Sequence, residues 1–351
     1  MGARCDLRVS TVQIVKTTKA WGRRAALGLA MCAALATPAA ALSPADHPEL
    51  DTLIDALAAQ HGFERKQLRR WFADAQLRPE IIAAMERPNE GLPWHSYRAI
   101  FLNDERARLG KRYWDEHERL LARAERQYGV PAEIIVAIIG VETRYGTNKG
   151  DYPALDALLT ITLGYPRRAA FFRRELEELL LLARELKLDP RKIKGSYAGA
   201  LGIPQFIPSS YRQYAVDFDG NRRRELVTSH ADAIGSVANF LARHGWVAGQ
   251  PVIDPAQVDG PLNVWLEQLG ARPMLPLRQW VGHGISPQRE TAHADDEWLA
   301  ALVVLEGEAG PLYHLGYNNF YVITRYNHSK NYAMAVHELG RMIRSLRERD
   351  K

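Results

Sequence analysis

Apolar residues recur at the three- and four-residue spacing of amphipathic helices along most of the chain. The pattern predicts helices over about residues 48–61, 64–72, 131–143, 168–186, 230–244 and 330–346, with a long amphipathic stretch from Ser96 to Tyr128. Between about 249 and 310 the texture changes to short apolar runs such as Pro251-Val-Ile and Leu302-Val-Val-Leu, punctuated by Gly and Pro. That interval reads as a small β-containing insertion, so the expected fold class is mainly α, an α+β chain. Neither repeats nor low-complexity segments follow the first 41 residues.

One predicted helix is apolar nearly all round: Ile134-Ile-Val-Ala-Ile-Ile-Gly-Val-Glu142-Thr-Arg-Tyr-Gly146. Pro131 suits its first turn and Gly146 suits its termination, which places Glu142 near the C-terminal end. Apolar neighbours and the negative end of the helix dipole both disfavour an ionised Glu142. A glutamic acid kept protonated can donate its proton to a leaving group. The plainer alternative is a helix-end Glu paired with Arg144 or another basic residue.

A second segment, Gly195-Ser-Tyr-Ala-Gly-Ala-Leu-Gly-Ile-Pro-Gln205-Phe-Ile-Pro-Ser-Ser-Tyr211, has neither helical nor strand period. It reads as a shaped loop. Its glycines allow backbone to approach a ligand, Ser196, Gln205 and Tyr211 can fix polar groups, and Phe206 can offer a face to a sugar ring. The alternative is a tight inter-helix connection, with Pro208 starting the next helix.

Composition narrows the partners. The 351 residues hold 46 Lys and Arg against 41 Asp and Glu, a formal charge of +5. Residues 1–41 contribute six of the basic residues and one acid, and setting them aside leaves 40 of each. A balanced remainder carries no footprint for nucleic acid. In that first segment Arg23-Arg24 precede the apolar run Ala25 to Ala36 and the small residues Thr37-Pro-Ala-Ala-Ala41, the layout of a cleaved secretory signal peptide. Export to the periplasm is therefore expected. Two variants of that route stay open: twin-arginine export through Gly22-Arg-Arg, and lipidation of Cys32, although Met31 is bulky for a lipobox. Cys5 and Cys32 both lie in the leader, so a mature chain beginning near residue 42 has neither a disulfide nor a catalytic thiol, lipidation of Cys32 aside.

Together the two segments resemble the lytic murein transglycosylase B family. The resemblance runs in order through Gly140-Val-Glu142-Thr-Arg-Tyr-Gly-Thr-Asn-Lys-Gly150, Asp156-Ala-Leu, Tyr165-Pro-Arg-Arg-Ala169 and the Ser196 to Tyr211 loop. It continues through Asp232-Ala-Ile-Gly-Ser-Val-Ala-Asn-Phe240, His244-Gly-Trp246 and Asn319-Phe-Tyr-Val-Ile-Thr-Arg-Tyr-Asn-His328. It is densest from about 130 to 246 and weak between about 248 and 292. It implies a lysozyme-like catalytic core over 129–248, completed by 311–329, beside a helical domain over 42–128 joined by the C-terminal helix 330–351. The insertion over 249–310 would stand apart.

The resemblance also implies chemistry. The substrate would be the β-1,4 bond between N-acetylmuramic acid and N-acetylglucosamine in peptidoglycan, cleaved without water to leave a 1,6-anhydro end. Glycosidases commonly use two carboxylates. Neither signature segment supplies a second one, and the family uses its single glutamate, here Glu142, as acid and then base. Ser196 and Gln205 would bind acetamido or hydroxyl groups near it. Phe206, Tyr321 and Tyr326 would line the glycan groove with Asn327 as polar partner, and Arg167 and Arg168 would meet stem-peptide carboxylates. For Tyr321 the alternative is burial in a strand-like Phe320-Tyr-Val-Ile core, and for the arginines a solvated helix start. Other functions compete: a hydrolytic muramidase, a non-catalytic peptidoglycan-binding module, or an assembly scaffold. A monomer that binds glycan strands, and other cell-wall proteins as possible partners, completes the expectation.

No cofactor is expected to be required, but Asp217-Phe-Asp219-Gly-Asn221-Arg-Arg223-Arg-Glu225 spaces oxygen ligands like an EF-hand calcium loop. Arg223 would contribute its backbone carbonyl, and by resemblance Asp232 would complete the set. Arg222 stands where such loops need Gly, and Thr228 where they carry a bidentate Glu. The alternative is a loop in which Asp217 and Asp219 pair with the neighbouring arginines.

Overall fold

Helix α7 (Ala132–Thr143) has every residue buried except Glu133 and Glu142. The computed structural model, which describes residues 47–86, 91–260, 264–288 and 297–350, surrounds it with α5 (Asp104–Glu116), α6 (Glu118–Tyr128), α11 (His230–Arg243) and α14 (Lys330–Arg349). Residues 1–41, expected from the sequence to be a leader, and both cysteines lie outside the described residues. Ile134, Ile135, Ile138 and Ile139 are each at most 3% exposed. Burial of an isoleucine side chain stabilises by roughly 2 kcal/mol, so this helix is fixed from all sides and its one carboxylate at the far end is fixed with it.

The predicted Ser96 to Tyr128 stretch resolves into three helices, α4 (Trp94–Phe101), α5 and α6. Its breaks have local causes. Asn103 caps α5 by accepting from Arg106 N at 2.9 Å, and His117, at φ −115° and ψ 20°, interrupts the ladder before α6. Helices α1 (Glu49–His61), α2 (Arg65–Ala73) and α3 (Pro79–Met85) precede them. α3 is too short to show a period. Helix α8 (Ala154–Gly164) likewise escapes the pattern because Ala154 to Ile161 are all buried and present no side to solvent. Helix α9 (Ala169–Leu186) packs on α8, followed by α10 (Pro208–Tyr214).

Strands β1 (Tyr152–Pro153) and β2 (Lys194–Gly195) pair at the entrance to the Ser196 loop. The expected β-containing part forms a five-stranded antiparallel sheet in the order β4-β6-β7-β3-β5, from β3 (Ile253–Val258), β4 (Leu275–Pro276), β5 (Ile285–Pro287), β6 (Leu299–Gly307) and β7 (Gly310–Gly316). It therefore runs past residue 310 to Gly316. A second apolar cluster around Trp280, Leu302, Leu315 and Tyr317 lies under it with α12 (Leu277–Gly282). The segment Asn319-Phe-Tyr-Val-Ile is not strand-like: it forms α13 (Asn318–Thr324), which delivers the chain into α14.

Candidate active site

Glu142 is the penultimate residue of α7 and half-buried. Helix termination occurs before Gly146. Arg144 and Tyr145 already adopt left-handed backbone, at φ 49° and 63°, followed by Gly146 at 85°. Left-handed backbone costs a non-glycine residue about 1 kcal/mol, and specific bonds hold this turn. Thr143 Oγ1 accepts from Gly146 N at 2.9 Å and donates to Ile203 O at 2.8 Å, tying the helix end to the Ser196 loop. Arg144 pairs with Glu105, so the sequence alternative of a Glu142–Arg144 pair is not what this arginine forms.

The carboxylate has a partner that sequence reasoning missed. Tyr332 donates its phenolic hydrogen to Glu142 Oε1 at 2.6 Å. Ser329 accepts from Tyr332 N and caps α14, which puts Tyr332 in the buried first turn of that helix. From the sequence it reads as one more apolar contact of α14; the available signal is Ser329 as N-cap with a hydroxyl-bearing aromatic three residues later. Burial pushes the Tyr332 and Tyr326 phenols well above their ordinary value, and the Glu142 charge adds to both, so each remains a donor.

The two tyrosines stack with ring centroids 6.2 Å apart and an interplanar angle of 11°. Tyr326 donates to Pro204 O at 2.6 Å, next to Gln205. A chain of contacts thus runs from Glu142 through Tyr332 and Tyr326 back to the loop. Gln205 itself has φ 51°, and its Nε2 donates to Lys149 O at 3.1 Å and Gly202 O at 2.8 Å. Ser196 Oγ accepts from Ala198 N and Ala200 N, shaping the loop, and its own hydrogen meets no acceptor among the described residues.

Not every expected groove residue serves as one. Phe206 is 2% exposed and packs on Phe240 and Tyr326, so it cannot present a face to a sugar; the loop turns it inward to anchor itself in the core. Tyr321 is half-buried on α13 with Arg325 5.9 Å from its ring centroid, and Asn327 is half-buried beyond Tyr326. Arg167 and Arg168 are exposed at the end of a 3-10 turn, and Arg168 lies over Phe171 and Phe172 at 4.9 and 5.1 Å. No described hydrogen bond or ion pair links these arginines to Glu142.

Asp217, Asp219 and Asp232 bring carboxylate oxygens within 4.8 Å of one another. Among the described residues none of the three pairs with an arginine; Arg223 turns to Glu225 and Arg224 to Glu185. The alternative of an arginine-neutralised loop is thereby overturned. Backbone N–H groups supply the order: Asp217 accepts from Gly220, Asn221 and Arg222, and Asp232 from Phe218 and Glu225. Arg222 takes up the sharp turn at φ 68° without being glycine. Burial raises the Asp232 carboxyl, and nearby Asp219 raises it further, the condition a bound cation would relieve. The donor set, all oxygen, fits a hard cation.

Comparison with known proteins follows the same lines. The transglycosylase SLT domain family matches residues 45–341. The chain is 41% identical over 311 residues to membrane-bound lytic murein transglycosylase B of Escherichia coli (strain K12), covering 85% of this chain and 83% of that protein. Among solved structures it is similar to Escherichia coli lytic transglycosylase Slt35 in complex with calcium, at 41% identity and TM-score 0.77, over 87% of this chain and 95% of that one. It is also similar to SltB3 from Pseudomonas aeruginosa in complex with NAG-anhNAM-pentapeptide, at 31% identity and TM-score 0.72, over 84% and 79%.

Proposed function

The chain belongs to the transglycosylase SLT domain family, and from that premise we propose how its own residues carry out the reaction. It is a peptidoglycan lytic transglycosylase, a lyase acting on glycan strands. In our reading Glu142 is the single acid and base. Its proton passes to the glycosidic oxygen as the bond from that oxygen to C1 of N-acetylmuramic acid breaks. The 2-acetamido oxygen stabilises C1. The Glu142 carboxylate then takes the proton of the C6 hydroxyl, O6 bonds to C1, and Glu142 is again protonated with no water consumed.

One observation supports this assignment above the others: Oε1 of Glu142 accepts from the Tyr332 hydroxyl, which holds the carboxyl in a fixed orientation for proton transfer. Ser196, with its hydrogen unclaimed, and Gln205, whose Nε2 is engaged and whose Oε1 is free among the described residues, are suited to hold acetamido and hydroxyl groups. Exclusion of water by the loop favours the internal nucleophile. Exposed Arg167 and Arg168 would meet stem-peptide carboxylates, and Tyr321, Tyr326 and Asn327 would border the groove.

Mass spectrometry of muropeptides released from purified peptidoglycan tests the reading. Wild-type products lighter by one water than reducing muropeptides, and none from Glu142→Gln, are expected. Reducing products would make the enzyme a hydrolase with a second carboxylate, and binding without release by either protein would make it a binding module.

Two further proposals attach to this reading. The chemistry needs no cofactor, and calcium would be structural, held by Asp217, Asp219, Asn221, Asp232 and the Arg223 carbonyl. From the signal-peptide layout of residues 1–41 we place the mature protein in the periplasm, with Cys32 as the position for a lipid anchor if one is present; no helix of the described residues is long and apolar enough to cross a membrane.

A further inference from the structure

The chain that leaves Glu142 toward the Ser196 loop is strained. Three successive residues after α7, Arg144, Tyr145 and Gly146, are left-handed, and two of them are not glycine. What holds them is a closed set of contacts between α5 and α7. Tyr145, 8% exposed, folds its ring back onto Gly140, where any Cβ would come within 2.6 Å of that ring. Its hydroxyl donates to Arg106 O at 2.9 Å. Arg106, poised over the Phe101 ring at 5.1 Å, donates from Nη1 to Gly140 O at 2.9 Å. Gly110 leaves room for the Tyr145 hydroxyl, since a Cβ there would meet it at 2.5 Å.

We infer that Tyr145 and Arg106 are positioning residues for Glu142, a lock that fixes the end of α7 and the approach of the Ser196 loop together. Glu142 lies two residues beyond the carbonyl that Arg106 holds. The locked turn continues into Lys149, whose carbonyl receives Gln205, while Thr143 bonds Ile203 in the same loop. Opening the lock therefore moves the acid and the water-excluding loop relative to each other. Substrate contacts elsewhere in the groove are untouched.

This inference rests on the proposed anhydro-forming mechanism, and its test separates the two. Tyr145→Phe removes one oxygen and keeps the ring. It is expected to lower kcat about tenfold with KM within about twofold, and to raise the share of reducing over anhydro ends severalfold as water enters. Arg106→Lys, which can still donate to Gly140, stays nearer wild type, whereas Arg106→Met behaves like Tyr145→Phe. A purely structural role would lower the melting temperature or folded fraction but leave the product ratio unchanged; that result, or wild-type kcat in Tyr145→Phe, overturns the inference while leaving the mechanism. A wild type that makes only reducing ends overturns the mechanism and this inference with it.

Discussion

Tyr332 and Glu142, 190 positions apart in sequence, share a 2.6 Å hydrogen bond that joins the first turn of α14 to the last turn of α7. In the proposed mechanism, a neutral phenol aimed at one carboxylate oxygen would hold the side chain in a single orientation through both halves of the reaction. Replacing Tyr332 with Phe keeps the ring stack on Tyr326 and deletes only the donor. Hydrogen bonds to charged groups contribute about 1.5–3 kcal/mol, so kcat should fall roughly 10- to 100-fold with little change in KM. Steady-state kinetics on soluble glycan strands would show it, and a wild-type kcat would remove Tyr332 from the mechanism.

Why this tyrosine stayed hidden in the sequence, while Glu142 stood out, is a matter of range. Glu142 interrupts a run of apolar residues, so one segment reveals it. Tyr332 matters only because α14 crosses α7, and apart from the Ser329 cap three residues earlier nothing local distinguishes it from Met334 or Leu339 on the same buried helix. Phe206 shows the opposite failure: a phenylalanine in a glycine-rich loop invites a ligand-facing reading, and only the fold reveals that the loop tucks it against Phe240. Helices with a polar face, such as α9 and α11, were legible. α8 and α13 were not: burial of Ala154 to Ile161 erases the period in α8, and α13 is too short to show one.

The joint between the early helices and the core offers a stability test. Asp156 on α8 is 7% exposed and accepts from Gln76 N at 3.2 Å and from Arg78 Nε and Nη2 at 3.1 and 3.0 Å. Thr160 beside it accepts from Arg78 N at 3.0 Å. The pair is only part-buried, with the Arg78 side chain 26% exposed, so removing one member costs about 1–3 kcal/mol rather than the full penalty of a stranded buried charge. Urea unfolding of Asp156→Asn should show a loss of that order, and adding Arg78→Met should restore part of it. Equal losses in single and double variants would mean that the pair itself contributes nothing.

Calcium should act on stability before it acts on catalysis. Asp217, Asp219 and Asp232 are gathered without a cationic side chain to balance them among the described residues, so a divalent ion held as proposed would bind the folded state selectively. At a hundredfold excess over Kd the stabilisation is about 2.7 kcal/mol. Thermal unfolding with calcium and with chelator should differ in the wild type and coincide in Asp217→Asn/Asp219→Asn. Coincident curves in the wild type would dismiss the site.

Acid should destabilise the protein through a pair of stacked histidines. His117 and His230 lie with ring centroids 5.0 Å apart, and His230 Nδ1 is 3.1 Å from the buried Tyr113 hydroxyl. Burial lowers the pKa of both, and for His230 the proximity of His117 and Lys149 lowers it further; Glu116 opposes the shift at each. His230 also opens α11, where the helix dipole disfavours a cation. The sign follows directly. Above the unfolded value of about 6.5 both states are neutral and stability is full; below it the unfolded chain takes up protons first, and stability falls until the folded imidazoles also protonate. Melting temperature should therefore drop between about pH 7 and about pH 5, with a shallower slope in His117→Gln/His230→Gln. An unchanged slope would assign the effect to His244 and His314, whose pKa values burial also depresses.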